Sequence, residues 1–162
     1  CRSLPKVFAD VPNSHCIFAG GIEQGAEDKM ADCLNFCIEN GLTDRVHFAG
    51  ARSDVPDILS ELDVFVFSSL HEGLPVAVSE AMLAGVPMIV SEIDPLLEAT
   101  DGGDLAETFP VKDAAILGKR LSALLRNEER RNDLAQKALS YAEANFSINA
   151  HLGELKKLYD SL

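Results

Sequence analysis

The chain has 162 residues, 47% of them hydrophobic, with 26 acidic side chains against 14 basic ones and a formal net charge of -12. That length suffices for about one domain with a core of its own, needing neither disulfides nor a structural metal. The charge argues against nucleic acid or an anionic membrane as partner of this segment, and leaves any bound phosphate to backbone N–H groups and a few local cations.

No apolar run is long enough to span a bilayer, so no direct membrane contact is expected, and the first residues do not resemble a signal peptide. The chain opens on Cys1 without an initiator Met and is expected to be a fragment.

Residues 1–14 read as the remnant of a helix. Beyond them apolar, β-rich runs alternate with helical patterns, the arrangement of an α/β layer with a parallel sheet. Strands are expected at 16–19, 46–49, 64–67, 88–90 and, more faintly, 105–109. Helices are expected at about 26–40, 55–61 and 75–84; Gly41 suits the end of the first and Asp54 the N-cap of the second. From Asp113 onward the pattern is helical, with Leu117, Leu121, Leu124 and Leu125 at core spacing, then a helix over about 128–144 and another over 148–158 capped by Ser147. No internal repeat or interdomain linker is visible.

The four cysteines, Cys1, Cys16, Cys33 and Cys37, fit no zinc-ribbon spacing. A metal site can be imagined from Cys33 and Cys37, one helical turn apart, together with His15 and Cys16, but reduced thiols in a core fit the pattern better and no metal is expected.

Three strands end in small residues: Gly20-Gly21, Gly50-Ala51 and Ser68-Ser69. In a parallel sheet these carboxyl ends line one edge, where ligands bind, although glycine is also the ordinary residue where a strand turns into a helix. Between Pro75 and Val90 the only charge is Glu80, on a short helix that Pro75 suits at its start and Gly85 and Pro87 at its end. Val76, Ala77, Ala81 and Ala84 surround Glu80 at helical spacing. The carboxylate therefore needs a partner that the local sequence does not supply: a polar ligand, a backbone N–H or a distant arginine. Ahead of this helix the free N–H groups from Gly73 to Ala77, Pro75 excepted, are expected to attract a phosphate, with Glu72 set to accept from sugar hydroxyls. His71 reads as an ordinary loop histidine.

The stretch Glu72-Gly-Leu-Pro-Val-Ala-Val-Ser-Glu80-Ala-Met-Leu-Ala-Gly-Val-Pro-Met-Ile-Val-Ser91 resembles the E-x7-E signature of family 4 retaining glycosyltransferases, which have the two-domain GT-B fold. Phe18-Ala-Gly-Gly21, Asp44-Arg-Val-His-Phe-Ala-Gly50, Leu62-Asp-Val-Phe-Val-Phe-Ser-Ser69 and the helical tail follow in the family's order. The resemblance runs from about residue 16 and is to the C-terminal, donor-binding half.

It implies a Rossmann-like parallel sheet of about five strands, helices on both faces and a helical C-terminal tail. Residues 1–162 would form the donor-nucleotide-sugar half of an enzyme whose N-terminal acceptor domain is absent. Glu80 would bind the ribose hydroxyls, and Glu72 would lie by the transferred sugar as the catalytic carboxylate. The backbone of Gly73, Leu74 and Pro75 would meet the diphosphate or the sugar. Gly50, Ala51 and Arg52 would lie near the base, and Gly20 and Gly21 would line the cleft. The substrate would be a nucleotide-diphosphate sugar, with no cofactor or metal. The setting would be cytoplasmic, peripheral to the inner membrane through the missing domain.

Two departures stand out. The family's Gly-Arg and Lys-Gly cations have no counterpart before Cys16, so the first strand is expected to be missing. In the order 3-2-1-4-5-6 that strand is central, so its loss would part the sheet. Where the family shows Gly-Gly and then Pro-Glu, this chain has Ser91-Glu-Ile-Asp-Pro-Leu-Leu-Glu98. Two other readings stay open: a GT-B epimerase or phosphorylase-like enzyme, and a non-catalytic flavodoxin-like binding domain.

Overall fold

The computed structural model describes residues 1–22, 25, 27–146 and 148–161, the side chains of 149–151 and 154 excepted. The elements in chain order are α1 (Leu4–Asp10), β1 (Cys16–Ala19), α2 (Glu27–Glu39), β2 (Val46–Gly50), α3 (Val55–Ser60), β3 (Phe65–Phe67), α4 (Val76–Leu83), β4 (Met88–Ser91), α5 (Asp94–Ala99), a 3₁₀ turn (Asp101–Gly103), β5 (Glu107–Phe109), α6 (Ala114–Leu125), α7 (Glu128–Asn145) and α8 (Ile148–Asp160). The α/β class, the parallel strands and the helical tail agree with the sequence reading. Helix α5 was not foreseen. The expected helix start at Ala26 and cap at Ser147 lie outside the described residues.

Among the described residues five strands form two sheets, ordered β1-β2 and β3-β4-β5. The chain resolves into two compact units, Cys1–Val55 with Asp113–Arg126, and Pro56–Lys112 with Asn127–Leu162.

In the first unit β1 runs parallel to β2, pairing Ile17 with His47 and Phe18 with Phe48, whose rings stack 5.0 Å apart. Helix α1 buries Leu4, Val7 and Phe8 and packs on α6. Gly118 permits that approach, since a Cβ there would meet the Ser3 carbonyl at 3.1 Å. Asp113 starts α6 by accepting the Ile116 N–H at 2.9 Å, satisfying one of the donors that a helix start leaves free. Gly41, at φ 63°, ends α2 in the left-handed conformation that glycine adopts without strain.

In the second unit β4 is the middle strand, parallel to β3 and β5, and all four of its residues are buried. A strand covered on both faces reads as a continuous apolar run, which Met88-Ile-Val90 is. Helix α4 connects β3 to β4 and packs on α7. Val78, Ala81 and Met82 of α4 and Leu134, Ala138 and Ala142 of α7 are fully buried. Beside this buried stripe α7 carries an ion-pair network in which Arg130 binds Glu107 at 3.0 Å and Asp133 at 3.2 Å, and Lys137 binds Asp133 at 2.8 Å.

Candidate functional site

The site in the second unit is built on the loop from β3 to α4. Ser91, 1% exposed at the end of β4, donates its hydroxyl to the Ser69 carbonyl at 2.5 Å. Ser69 in turn donates its own hydroxyl to the His71 carbonyl at 3.0 Å. Two hydroxyls thus hold the loop that presents His71 and Glu72. Beyond the strand ends lies a cavity of about 410 Å³ lined by Leu70, His71, Glu72, Ile93, Asp94 and Pro95. Glu72 is half-buried there.

At the mouth of α4, Pro75 is buried and serves as N-cap with φ -80° and ψ 68°. Those angles are those of an inverse γ-turn. The turn closes the Val76 N–H onto the Leu74 carbonyl at 2.9 Å. This corrects the expectation that Val76 is a free donor. Pro75's carbonyl then accepts from Val78 at 3.0 Å, which leaves the N–H groups of Gly73, Leu74 and Ala77 without a protein acceptor among the described residues.

Glu80 lies on the exposed face of α4, and its carboxylate has no hydrogen-bond or ion-pair partner among the described residues. The arginine or backbone N–H that would have given it a structural role is therefore absent among them. Its neighbours at helical spacing, Val76 and Leu83, are 53% and 44% exposed, so the carboxylate projects from an uncovered apolar surface. The 410 Å³ cavity takes in Glu72 but not Glu80.

The remaining expected residues belong to the first unit. The Gly20 N–H donates to the Gly50 carbonyl at 2.8 Å, and a Cβ on Gly21 would lie 3.8 Å from that of Ala51, so the ends of β1 and β2 sit side by side. Gly50, at φ 65°, turns the chain sharply away from β2. Arg52 is not idle: its Nε donates to Asp54 at 2.8 Å, and the pair holds the Asp54 carboxyl below, and the Arg52 guanidinium above, its ordinary value. The structure thus gathers Glu72 to Pro75 and Glu80 on one unit, and Gly20, Gly21, Gly50, Ala51 and Arg52 on the other.

Ile93, Asp94 and Pro95 stood in the sequence reading only as part of the 91–98 stretch that departs from the family's pattern and bears on sugar recognition; the structure sets them in the cavity wall. Asp94-Pro95 carried a signal, an acid and a proline together in the first turn of a helix, which is a usual helix start. Among the described residues no group of three or more His, Cys, Asp or Glu gathers as a metal cluster, and no helix is long and apolar enough to cross a membrane.

Parallel strands whose carboxyl ends carry a helix mouth with free N–H groups, an acid-lined cavity and an unpaired carboxylate define a nucleotide-binding type of α/β domain. Residues 2–140 match the family described as glycosyl transferases group 1, and the chain belongs to it. It is 35% identical over 140 residues to the N,N'-diacetylbacillosaminyl-diphospho-undecaprenol alpha-1,3-N-acetylgalactosaminyltransferase of Campylobacter jejuni, covering 84% of this chain and 35% of that protein. It is 27% identical over 124 residues to the lipopolysaccharide core biosynthesis mannosyltransferase LpsB of Rhizobium meliloti, covering 75% of this chain and 35% of that one.

Among solved structures, Anabaena HepE in complex with UDP-glucose superposes with a TM-score of 0.86 at 21% identity, over 99% of this chain and 44% of HepE. The C-terminal domain of the group 1 protein LpcC from Francisella tularensis superposes with a TM-score of 0.80 at 17% identity, over 91% of this chain and 79% of that domain. The fold is therefore that of a group 1 C-terminal domain. The chain spans about a third of the length of the two curated relatives.

Proposed function

We propose that this chain is the donor-binding half of a retaining glycosyltransferase that moves a sugar from a nucleotide-diphosphate sugar to a glycan or glycolipid acceptor. The observation that carries the reading is Glu80, exposed, its carboxylate unpaired among the described residues, and eight residues after a Glu72 that lines a cavity, within a family match covering residues 2–140. Glu80 accepts from the ribose hydroxyls, and the apolar surface of Val76 and Leu83 beside it is covered by the nucleoside. The N–H groups of Gly73, Leu74 and Ala77 face the diphosphate, where positioned donors stabilise the charge that develops on the leaving group. Glu72 lies against the transferred sugar and stabilises the positive character growing there. Gly50, Ala51 and Arg52 are the base-side residues, and Gly20 and Gly21 leave room in the cleft.

An acceptor-binding N-terminal domain is needed to complete the site, because holding the acceptor hydroxyl against the anomeric carbon is itself a large part of the rate. The Campylobacter relative is named for a diphospho-undecaprenol substrate, which supports a lipid-linked acceptor.

Titration of the whole polypeptide with UDP and GDP tests the reading. Binding that is lost in Glu80→Ala and kept in a substitution elsewhere on the surface is the expected result. No binding in the unsubstituted protein would leave a non-catalytic flavodoxin-like domain. Product analysis with a sugar nucleotide separates transfer from epimerisation or phosphorolysis.

A further inference from the structure

We infer that the cavity between the β3–α4 loop and the start of α5 admits donors whose transferred sugar is uncharged and rejects uronates, with Asp94 as the specificity-determining residue. The inference rests on the donor-site reading above and deepens it.

The six residues that line the cavity include two carboxylates, Glu72 and Asp94, and neither lysine nor arginine. Even with the His71 imidazole protonated, the lining keeps a net negative charge. Neither carboxylate has a hydrogen-bond or ion-pair partner among the described residues, so both are free to accept from a ligand.

The main chain around Asp94 has little left to offer. The Glu92 N–H is taken by the Phe109 carbonyl, that of Ile93 by Ser91, and those of Leu96 and Leu97 by Ile93. Pro95 has no N–H. Among the described residues the Asp94 N–H is the main-chain donor left on this wall, and beside it stands the Asp94 carboxylate, which can only accept when ionised. A neutral hexose or N-acetylhexosamine presents hydroxyl donors to it. A uronate presents a carboxylate that meets the half-buried Glu72 and the exposed Asp94 with no lysine or arginine among the lining residues, a like-charge contact that is unfavourable and weakens as salt is added.

The experiment compares matched donors on the whole polypeptide by calorimetry: UDP-glucose against UDP-glucuronate, and GDP-mannose against GDP-mannuronate, with UDP and GDP alone as references. The uronate of the accepted nucleotide is expected to bind at least about tenfold more weakly than its neutral twin. Asp94→Asn, which keeps the shape and removes the charge, narrows that gap to about threefold or less and leaves binding of the bare diphosphate unchanged within about twofold. Asp94→Lys reverses the preference and supplies a second readout; circular dichroism verifies the fold of both. Equal binding of the twins, or a gap unaltered in both variants while the bare diphosphate still binds, overturns the inference and leaves the donor-site reading standing. If neither UDP nor GDP binds, the donor-site reading falls and takes the inference with it.

Discussion

The Ser91 hydroxyl, buried at the carboxyl end of β4, reaches across to the main-chain carbonyl of Ser69 in the loop that leaves β3. One side chain thereby ties two neighbouring strand ends together just beneath the cavity, and a second hydroxyl, that of Ser69, carries the constraint on to His71. Glu72 follows directly. The position of that carboxylate is thus fixed by β4, a strand 16 residues further along the chain, and not only by its own loop.

Ser91→Ala removes the donor and leaves the Ser69 carbonyl half-buried and unsatisfied, which should lower stability by about 1–2 kcal/mol. Because the lost bond supports the loop directly, donor binding should weaken beyond what global unfolding accounts for. Denaturant titration read beside calorimetry separates the two effects; an unchanged donor affinity would show that the loop holds without this bond.

The strands were legible because burial writes itself into sequence as apolar runs: β1 begins and ends at the expected residues, and β4 was found to within a residue. Helix α4 was legible in extent but not in orientation. It is apolar on nearly every side, so no periodicity could tell which face turns inward; packing on α7 chooses Val78, Ala81 and Met82 and leaves Val76, Glu80 and Leu83 outside. The free donors at its mouth were overestimated because the γ-turn depends on the ψ of Pro75, which the residue type does not fix. Helix α5 was missed because six residues give too little pattern, although its Asp-Pro start was in view.

That two-sidedness of α4 yields paired substitutions. Met82→Ala empties a fully buried position and should cost about 2–5 kcal/mol. Glu80→Gln, exposed and unpartnered, should leave stability within about 0.5 kcal/mol while abolishing most nucleotide affinity. Urea midpoints and UDP or GDP titrations on the two variants check this. Destabilisation by Glu80→Gln would point to a structural role for the carboxylate.

At the end of β2, Gly50 holds φ 65° with nothing within 4 Å of where a Cβ would sit. Gly50→Ala should therefore be destabilising through backbone strain alone, by about 1–2 kcal/mol, without any clash to relieve. A compensating substitution in the surroundings should fail to rescue it, and Gly50→Asn, which tolerates the left-handed region better, should recover part of the loss. Thermal melts of the three proteins decide the point.

Burial pushes the Cys16 thiol in β1 up to about 11 from its ordinary 9.0, with the neighbouring Cys37 adding to the rise. The unfolded chain loses this proton near 9.0 and the folded one keeps it until about 11. Between those values the unfolded state binds fewer protons, so the contribution is present in full below 9.0 and declines as pH climbs through the window. The Cys37 thiol is raised too, again by burial first, and acts in the same direction. Denaturation midpoints taken from pH 8 to 11 should therefore fall, and Cys16→Ala should flatten part of that fall. Because the thiolate is the nucleophile, iodoacetamide at about pH 9 should label Cys16 slowly in the folded protein and readily once urea is added, which peptide mass spectrometry resolves site by site. Labelling of Cys16 at equal rates in both states would show that the thiol is as open to water in β1 as in the unfolded chain.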